Sequence, residues 1–206
     1  MNSVVKIVLR RGACAPLVLC GLLAGGAHAA RAETTPDGAR MSVAALRDGQ
    51  HDFDFEFGVW HARVSRLAKP LTGSKTWIDY TGPSIVRTVW DGRANLGEID
   101  LAGPAGRIRG LSLRLYDPAS RQWRISWASS NDGLLGTAMV GDFANGRGEF
   151  YNQETYEGRA IFVRFVFSDI TANAFRLEQA FSADGGKSWE ANWIANFARA
   201  QNSSGP

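Results

Sequence analysis

Few side chains in this sequence combine a reactive group with the spacing that catalysis or metal binding requires. Both cysteines, Cys14 and Cys20, lie near the N-terminus, and the only histidines after residue 32 are His51 and His61. Neither histidine belongs to a Gly-x-Ser-x-Gly or a His-Glu-x-x-His motif, and two histidines without a third spaced ligand make a poor zinc site. The sequence therefore predicts no catalytic residue, no metal site and no cofactor.

Carboxylates inside otherwise apolar segments are the next groups that chemistry could use. They are Glu149, Glu154, Glu178 and Glu190. Two carboxylates on adjacent strands can act as an acid/base pair. Alternatively, each carboxylate pairs with Arg164 or Arg176 on a neighbouring strand, which is a structural role unless the pair points inward and orients a polar head group. The sequence is compatible with both interpretations.

Aromatic residues recur at every second position of several segments. Within 122–129, Trp123, Ile125 and Trp127 share one face of an extended strand. The last candidate strand has Trp189, Ala191, Trp193, Ala195 and Phe197 on one face. An interior lined by tryptophans with alanines between them has room for an aromatic or acyl ligand, although the same residues can also fill it. The predicted ligand-binding residues are Trp127, Tyr151 and Trp193 as walls, with Glu149, Arg164 and Gln179 as polar anchors.

The elements that must position these residues are strands. From Phe53 onward the hydrophobic period is two, and it continues through about ten short segments separated by turn signals such as Asp117-Pro118 and Asn145-Gly146. Connections this short favour antiparallel neighbours, and closure removes exposed sheet edges. The predicted fold is therefore all-β, a single up-and-down antiparallel β-barrel of about eight to ten strands over residues 51–200. A two-layer sandwich is the alternative.

The N-terminal region has the pattern of a cleaved secretory signal peptide over residues 1–32. Its basic start is followed by the apolar stretch 13–24 and by Ala-x-Ala sites. The apolar run is shorter than the roughly 20 residues of a transmembrane helix, so no integral membrane anchor is predicted. A lipoprotein anchor at Cys20 is an alternative. The expected location is outside a bacterial cell or in its periplasm.

The net charge of the chain after the leader is close to zero. Four of the 23 Lys and Arg lie in the leader, which leaves 19 basic against 20 acidic groups. Because the mature chain is nearly neutral, it lacks the positive field that a nucleic-acid partner requires. Residues 33–50 are predicted to form an N-terminal segment with a short helix at 42–48, and residues 201–206 a disordered tail.

A Gly-x-Trp motif, Gly58-Val59-Trp60, precedes the strands and resembles the one that closes lipocalin and fatty-acid-binding barrels, together called calycins. In those barrels an Arg packs across the Trp, and Arg199 is the matching residue. Further segments resemble a family of secreted bacterial proteins of unknown function with a calycin-like barrel. They are Phe53–Trp60, Arg109–Pro118, Gly148–Tyr151, Ser168–Thr171 and Glu178–Glu190. The resemblance implies the fold and a leader peptide, and it carries no substrate.

Three functions are compatible with these observations. The preferred hypothesis is a binding protein that holds a small apolar or amphipathic molecule inside the barrel. The alternative is an isomerase, hydratase or decarboxylase that uses an inward carboxylate or Tyr. A further alternative is an envelope interaction module, or a homodimer, that uses the apolar segment 161–167.

Overall fold

Ten antiparallel strands close into a barrel in the computed structural model, which describes residues 47–200. The strands are β1 Gly58–Leu67, β2 Trp77–Val89, β3 Ala94–Gly103, β4 Gly106–Asp117, β5 Gln122–Ser129, β6 Met139–Ala144, β7 Arg147–Tyr156, β8 Arg159–Ser168, β9 Ala174–Ser182 and β10 Glu190–Arg199. Each strand pairs with the next along the chain, and β1 pairs with β10. The predicted all-β, up-and-down barrel is confirmed, and the sandwich alternative is wrong.

Several predicted segments lie outside the described residues. These are the signal peptide at 1–32, most of the N-terminal segment with its helix at 42–48, and the tail at 201–206. Within the described range, the only helical elements are 3-10 turns at Asp54–Glu56 and Trp90–Gly92. No helix in residues 47–200 has the length and hydropathy needed to span a membrane.

Strand β2 is one continuous strand, whereas the sequence predicts two strands, at 75–80 and 84–90. Gly82 and Pro83 interrupt the apolar pattern, yet both pair in register with β1, Pro83 opposite His61. A Cβ atom at Gly82 would collide with the Asp100 carbonyl on β3, so glycine allows the close backbone approach here. The Gly-Pro pair is therefore a close-contact point within a strand and not a turn.

An aromatic cluster closes the end of the barrel at which β1 begins. Trp60 is 1% exposed, and its ring is nearly perpendicular to that of Phe175, with the ring centres 4.9 Å apart. Phe53 is fully buried and makes edge contacts with Trp123 at 5.0 Å and Phe167 at 5.3 Å. Such edge-to-face pairs stabilise the cluster beyond the area that they bury. The closed end is thus a packed floor.

Arg199 at the end of β10 lies across this floor. Its Cζ is 4.1 Å from the centre of the Trp60 ring, which is a cation–π contact. The guanidinium also donates to the carbonyls of Phe57 at 3.0 Å, Phe55 at 3.1 Å and Ala172 at 2.7 Å. The last strand therefore holds the segment that precedes β1. This is the Trp–Arg arrangement that the calycin resemblance implies.

A candidate ligand cavity in the barrel

A cavity of about 510 Å³ lies above the floor, inside the barrel. Its aromatic lining comes from one side only, namely from β5 and β8–β10: Trp127, Phe165, Phe175, Phe181, Trp193 and Phe197. Strands β2–β4 contribute no aromatic side chain to the lining, only small, aliphatic or polar ones: Ser84, Val86, Gly97, Ile99, Ile108, Ser112 and Arg114. The cavity therefore has an aromatic wall and a smaller, more polar wall facing it.

The register of the β4–β5 hairpin determines which side chains of β4 enter the cavity. Tyr116 pairs with Trp123, Arg114 with Ile125 and Ser112 with Trp127. Paired residues of antiparallel strands point to the same face. The N-terminal segment fixes this face inward, because the Trp123 indole donates to the Gly49 carbonyl at 2.8 Å and Gly49 N donates to the Tyr116 hydroxyl at 3.1 Å.

A buried ion pair stands where the cavity meets the floor. Arg114 Nη1 is 2.6 Å from Glu56 Oε2, and the two side chains are 8% and 1% exposed. The same Nη1 donates to Asn95 Oδ1 at 2.9 Å, and the guanidinium lies 5.0 Å from the Phe53 ring centre. Glu56 and Arg114 both line the cavity. Two opposite charges thus face an otherwise mostly apolar interior.

Burial and pairing act in opposite directions on these two groups. Loss of solvent raises the pKa of Glu56, and the positive charge of Arg114 opposes that rise. Burial likewise lowers the pKa of Arg114, and the Glu56 carboxylate opposes that fall. Each partner therefore offsets part of the cost of burying the other's charge, and removal of either one leaves the other without this compensation.

The ion pair does not satisfy all of its polar atoms. The 2.6 Å contact lacks hydrogen-bond geometry, so Glu56 Oε2 has no donor although Arg114 is close. Arg114 Nε and Asn95 Nδ2 are also buried without an acceptor in the described part of the chain. Unsatisfied buried polar groups are costly and rare in folded proteins. Three buried polar atoms of this cluster, one acceptor and two donor nitrogens, thus lack a partner within the described residues.

Three of the predicted ligand-binding residues lie on the cavity lining. They are Trp127 on β5, Gln179 on β9 and Trp193 on β10. Trp193 and Gln179 are register partners, and the Gln179 amide donates to Asn192 Oδ1 at 2.6 Å. The structure therefore brings these three side chains to one interior site, in which their role as ligand contacts stays a prediction.

The other three, Glu149, Tyr151 and Arg164, lie outside the cavity. Glu149 and Tyr151 flank the inward-pointing Phe150, so both side chains are on the outer face. Tyr151 donates to Glu149 at 2.7 Å, while Arg164 lies 4.7 Å above the Trp189 ring. An interior site cannot include them, because alternation along β7 and β8 directs them away from it.

The remaining predicted acids also have structural partners. Arg147 donates to Glu149 at 2.7 Å, and this bond is the main reason that the pKa of Glu149 is lowered. Arg176 donates to Glu178 at 2.7 Å, and Glu190 accepts from Leu71 N at 2.5 Å. Glu154 is the one member of this set that lines the cavity. Salt bridges on the barrel exterior thus account for Glu149 and Glu178.

Strand β10 contains a bulge that changes its face. Ala191 pairs with Ala180, whereas Trp193 pairs with Gln179, so Asn192 is one extra residue in the ladder. The prediction that Trp189, Ala191 and Trp193 share one face is therefore wrong. Trp189 instead lies outside the barrel, with its ring centre 6.0 Å from that of Tyr151.

Sequence reasoning missed the two charged residues of the floor. The alternation of Phe53, Phe55 and Phe57 suggests a strand that exposes Glu56, but the 3-10 turn at Asp54–Glu56 directs this carboxylate inward. For Arg114 a usable signal existed: pairing across the turn at Asp117-Pro118 places it on the same face as Trp123 and Trp127. The alternating leucines of β4 masked that signal.

Comparisons with known proteins identify the class of fold. No family model and no curated protein matches the sequence. Among solved structures, an S-type phycobiliprotein lyase from Guillardia theta is similar, with a TM-score of 0.51 and 12% identity over 76% of this chain and 94% of the lyase. A de novo designed fluorescence-activating β-barrel has a TM-score of 0.39 and 10% identity over 75% of this chain and 100% of the design. The chain is thus a ten-stranded, lipocalin-like β-barrel.

The contribution of the Glu56–Arg114 pair to stability can be tested by mutation. We expect Glu56→Gln and Arg114→Met each to lower the free energy of unfolding by about 3–5 kcal/mol, because each leaves one buried charge unpaired. The double variant should lose about 2 kcal/mol less than the sum of the two, which is the coupling energy of the pair. Urea unfolding followed by far-ultraviolet circular dichroism measures all four proteins.

The exposed pair Arg87–Glu98, 3.5 Å apart with side chains 58% and 48% exposed, is the matched control. Its cycle, with Arg87→Met and Glu98→Gln, should give a coupling of about 0–1 kcal/mol. If the coupling energy of Glu56 and Arg114 is no larger than that of the control pair, the two buried charges are not coupled in the folded protein.

Proposed function

We propose that this protein binds a small apolar or amphipathic molecule inside the barrel. The observation that carries the proposal is the cavity of about 510 Å³ with aromatic side chains on one wall and a polar cluster at its floor. Ligand sites typically have volumes of about 300–1,000 Å³, mostly apolar linings and a few placed polar groups. The cavity has each of these properties.

The two walls define how such a ligand would be oriented. Its apolar body would lie against Trp127, Phe165 and Trp193, and its polar end would reach Ser112 and Arg114 on the opposite wall. Aromatic side chains bury large areas at a small loss of rotamer freedom, so they supply most of the affinity. The polar groups set the orientation. Gln179 is the one predicted anchor that lies among the interior residues.

Filling the cavity tests the proposal. Ser112 points into the cavity from β4, whereas Ser126 on β5 pairs with Leu113 and is not part of the lining. Ser112→Phe should abolish the binding of a neutral hydrophobic dye, N-phenyl-1-naphthylamine, and Ser126→Phe should leave it unchanged. The readout is dye fluorescence on titration with each protein. Circular dichroism verifies that both variants are folded, because overpacking itself can destabilise a core.

The tryptophan fluorescence of the wild-type protein should also be quenched when fatty acids or flavonoids are added. Equal dye binding by the Ser112→Phe and Ser126→Phe variants would place the dye outside the barrel. A folded wild-type protein that binds neither the dye nor any member of the panel would contradict the proposal.

A second candidate function is proton transfer on a small substrate in the same cavity. The observation that favours it is Glu56, a carboxylate on the cavity lining. Burial raises the pKa of Glu56, and the charge of Arg114 opposes this rise. Carboxylates of this kind serve as general acids or bases at neutral pH. An isomerase, hydratase or decarboxylase would use Glu56 in this role, in place of the outward Glu149.

Hydrogen–deuterium exchange at carbon acids, followed by proton nuclear magnetic resonance over a panel of small ketones and keto acids, tests this candidate. Glu56→Gln should reduce any exchange that the wild type catalyses by at least about 100-fold, the scale of a lost general base. Glu98→Gln, on the outer face, should retain it. Activity that survives Glu56→Gln would exclude Glu56 as the proton-transfer group.

The N-terminal leader and the sequence motifs support a proposed location and family. We propose that residues 1–32 direct export to the periplasm or beyond, which the leader pattern supports, and that the chain belongs to the secreted bacterial family that its motifs resemble. A homodimer through the 161–167 region has one supporting feature, the outward Phe162, which is 38% exposed. Ile161 and Val163 of the same segment are buried.

A further inference from the structure

The charges that line the cavity balance each other. At the floor, Glu56 faces Arg114 at 2.6 Å. Near the mouth, the lining contains one further acid, Glu154, and one further base, Arg66. The described lining therefore carries equal numbers of carboxylates and guanidinium groups, and of these four groups only the floor pair is a salt bridge. A charged ligand head that reached the floor would meet two charges that already neutralise each other.

The two charges at the floor neutralise each other, but polar groups there can still form hydrogen bonds. Glu56 Oε2 and Arg114 Nε are buried without partners within the described residues, and the part of the ion pair that is accessible from the cavity belongs mainly to Arg114, 8% exposed against 1% for Glu56. Ser84 and Ser112 add hydroxyl groups to the same wall. A ligand group that both donates and accepts, such as a hydroxyl or a primary amide, matches this set. It would accept a hydrogen bond from the Arg114 guanidinium and donate one to a serine hydroxyl on the same wall.

Charged heads match the same set poorly. A carboxylate has no proton to donate to the serine hydroxyls, and it brings a second negative charge close to that of Glu56. An ammonium group has no acceptor for Arg114 and brings a second positive charge. Both also lose their hydration in a site of low dielectric, where electrostatic penalties are larger than in water.

We propose that the barrel selects ligands with an uncharged head that both donates and accepts hydrogen bonds, such as a phenol, an alcohol or a primary amide. This inference rests on the proposed binding function and adds the chemical class of the ligand. The aromatic wall formed by Trp127, Phe165 and Trp193 favours an aromatic body on that head.

A series of naphthalenes that differ only in the head tests the inference at pH 7. Isothermal titration calorimetry on the wild-type protein compares 2-naphthol, 2-naphthamide, 2-naphthoate and 2-naphthylmethylammonium. We expect the two neutral compounds to bind at least about tenfold more tightly than either charged one, a difference of about 1.4 kcal/mol. Because this comparison needs no variant, it does not depend on the folding of an altered protein.

Charge variants provide a second readout. Glu56→Gln changes the floor to a net positive charge, so 2-naphthoate should gain affinity relative to 2-naphthol. Arg114→Gln changes it to a net negative charge, so the ammonium compound should gain. Glu98→Gln alters a carboxylate on the barrel exterior that is 48% exposed, and it should leave the order of affinities unchanged.

The outcomes separate this inference from the binding function itself. If 2-naphthoate binds as tightly as 2-naphthol, the inference is wrong and the binding function stands. The same holds if N-phenyl-1-naphthylamine binds but both neutral naphthalenes fail. If neither the dye nor any of the four compounds binds, the binding function fails, and the inference fails with it.

Discussion

The structure depends most on the position of Glu56, which links the closure of the barrel to the chemistry of its interior. Its main-chain carbonyl accepts a 2.7 Å hydrogen bond from the Trp60 indole, and its carboxylate lies 2.6 Å from Arg114. The 3-10 turn at Asp54–Glu56 makes both contacts possible, because it turns the chain across the end of the barrel. A buried charge at such a point must be paired, and Arg114 on β4 supplies the partner. The floor and the polar end of the cavity are therefore one unit.

Asymmetry between the two walls explains why the interior above this floor is open. Strands β2–β4 place Ser84, Gly97 and Ser112 inward, and these small side chains cannot reach the aromatic residues of β5 and β8–β10. Large residues on both walls would fill a barrel of this size. The floor itself is densely packed around Phe53 and Trp60. The molecule thus combines a packed end, which stabilises the fold, with an open end, which is free to bind. Function in such folds resides in the site and not in the barrel.

The fold can be predicted from the sequence because the signals for strands and turns are local. The positions of half of the predicted ligand-binding residues cannot, because they depend on pairing between strands that are distant in the sequence. Turn signals such as Asn145-Gly146 and a period of two are sufficient to predict an antiparallel meander, and the need to avoid sheet edges predicts its closure. Trp127 and Trp193 were placed correctly on one interior surface. Glu149 and Tyr151 were not, because only the register across the whole sheet tells which face of β7 points inward. The bulge at Asn192 has no local sequence signal. The inward turn of Glu56 arises from its tertiary partners, Trp60 and Arg114.

The central claim is that the barrel holds an uncharged aromatic molecule between its aromatic wall and the Glu56–Arg114 floor. A crystal structure of the protein with 6-bromo-2-naphthol tests this most directly, because the anomalous scattering of bromine locates the ligand independently of the protein density. We expect a bromine peak inside the barrel, with the naphthalene against Trp127 and Trp193 and the hydroxyl within hydrogen-bond distance of Arg114 or Ser112. An interior filled by side chains, or a bromine peak only on the outer face, would contradict it.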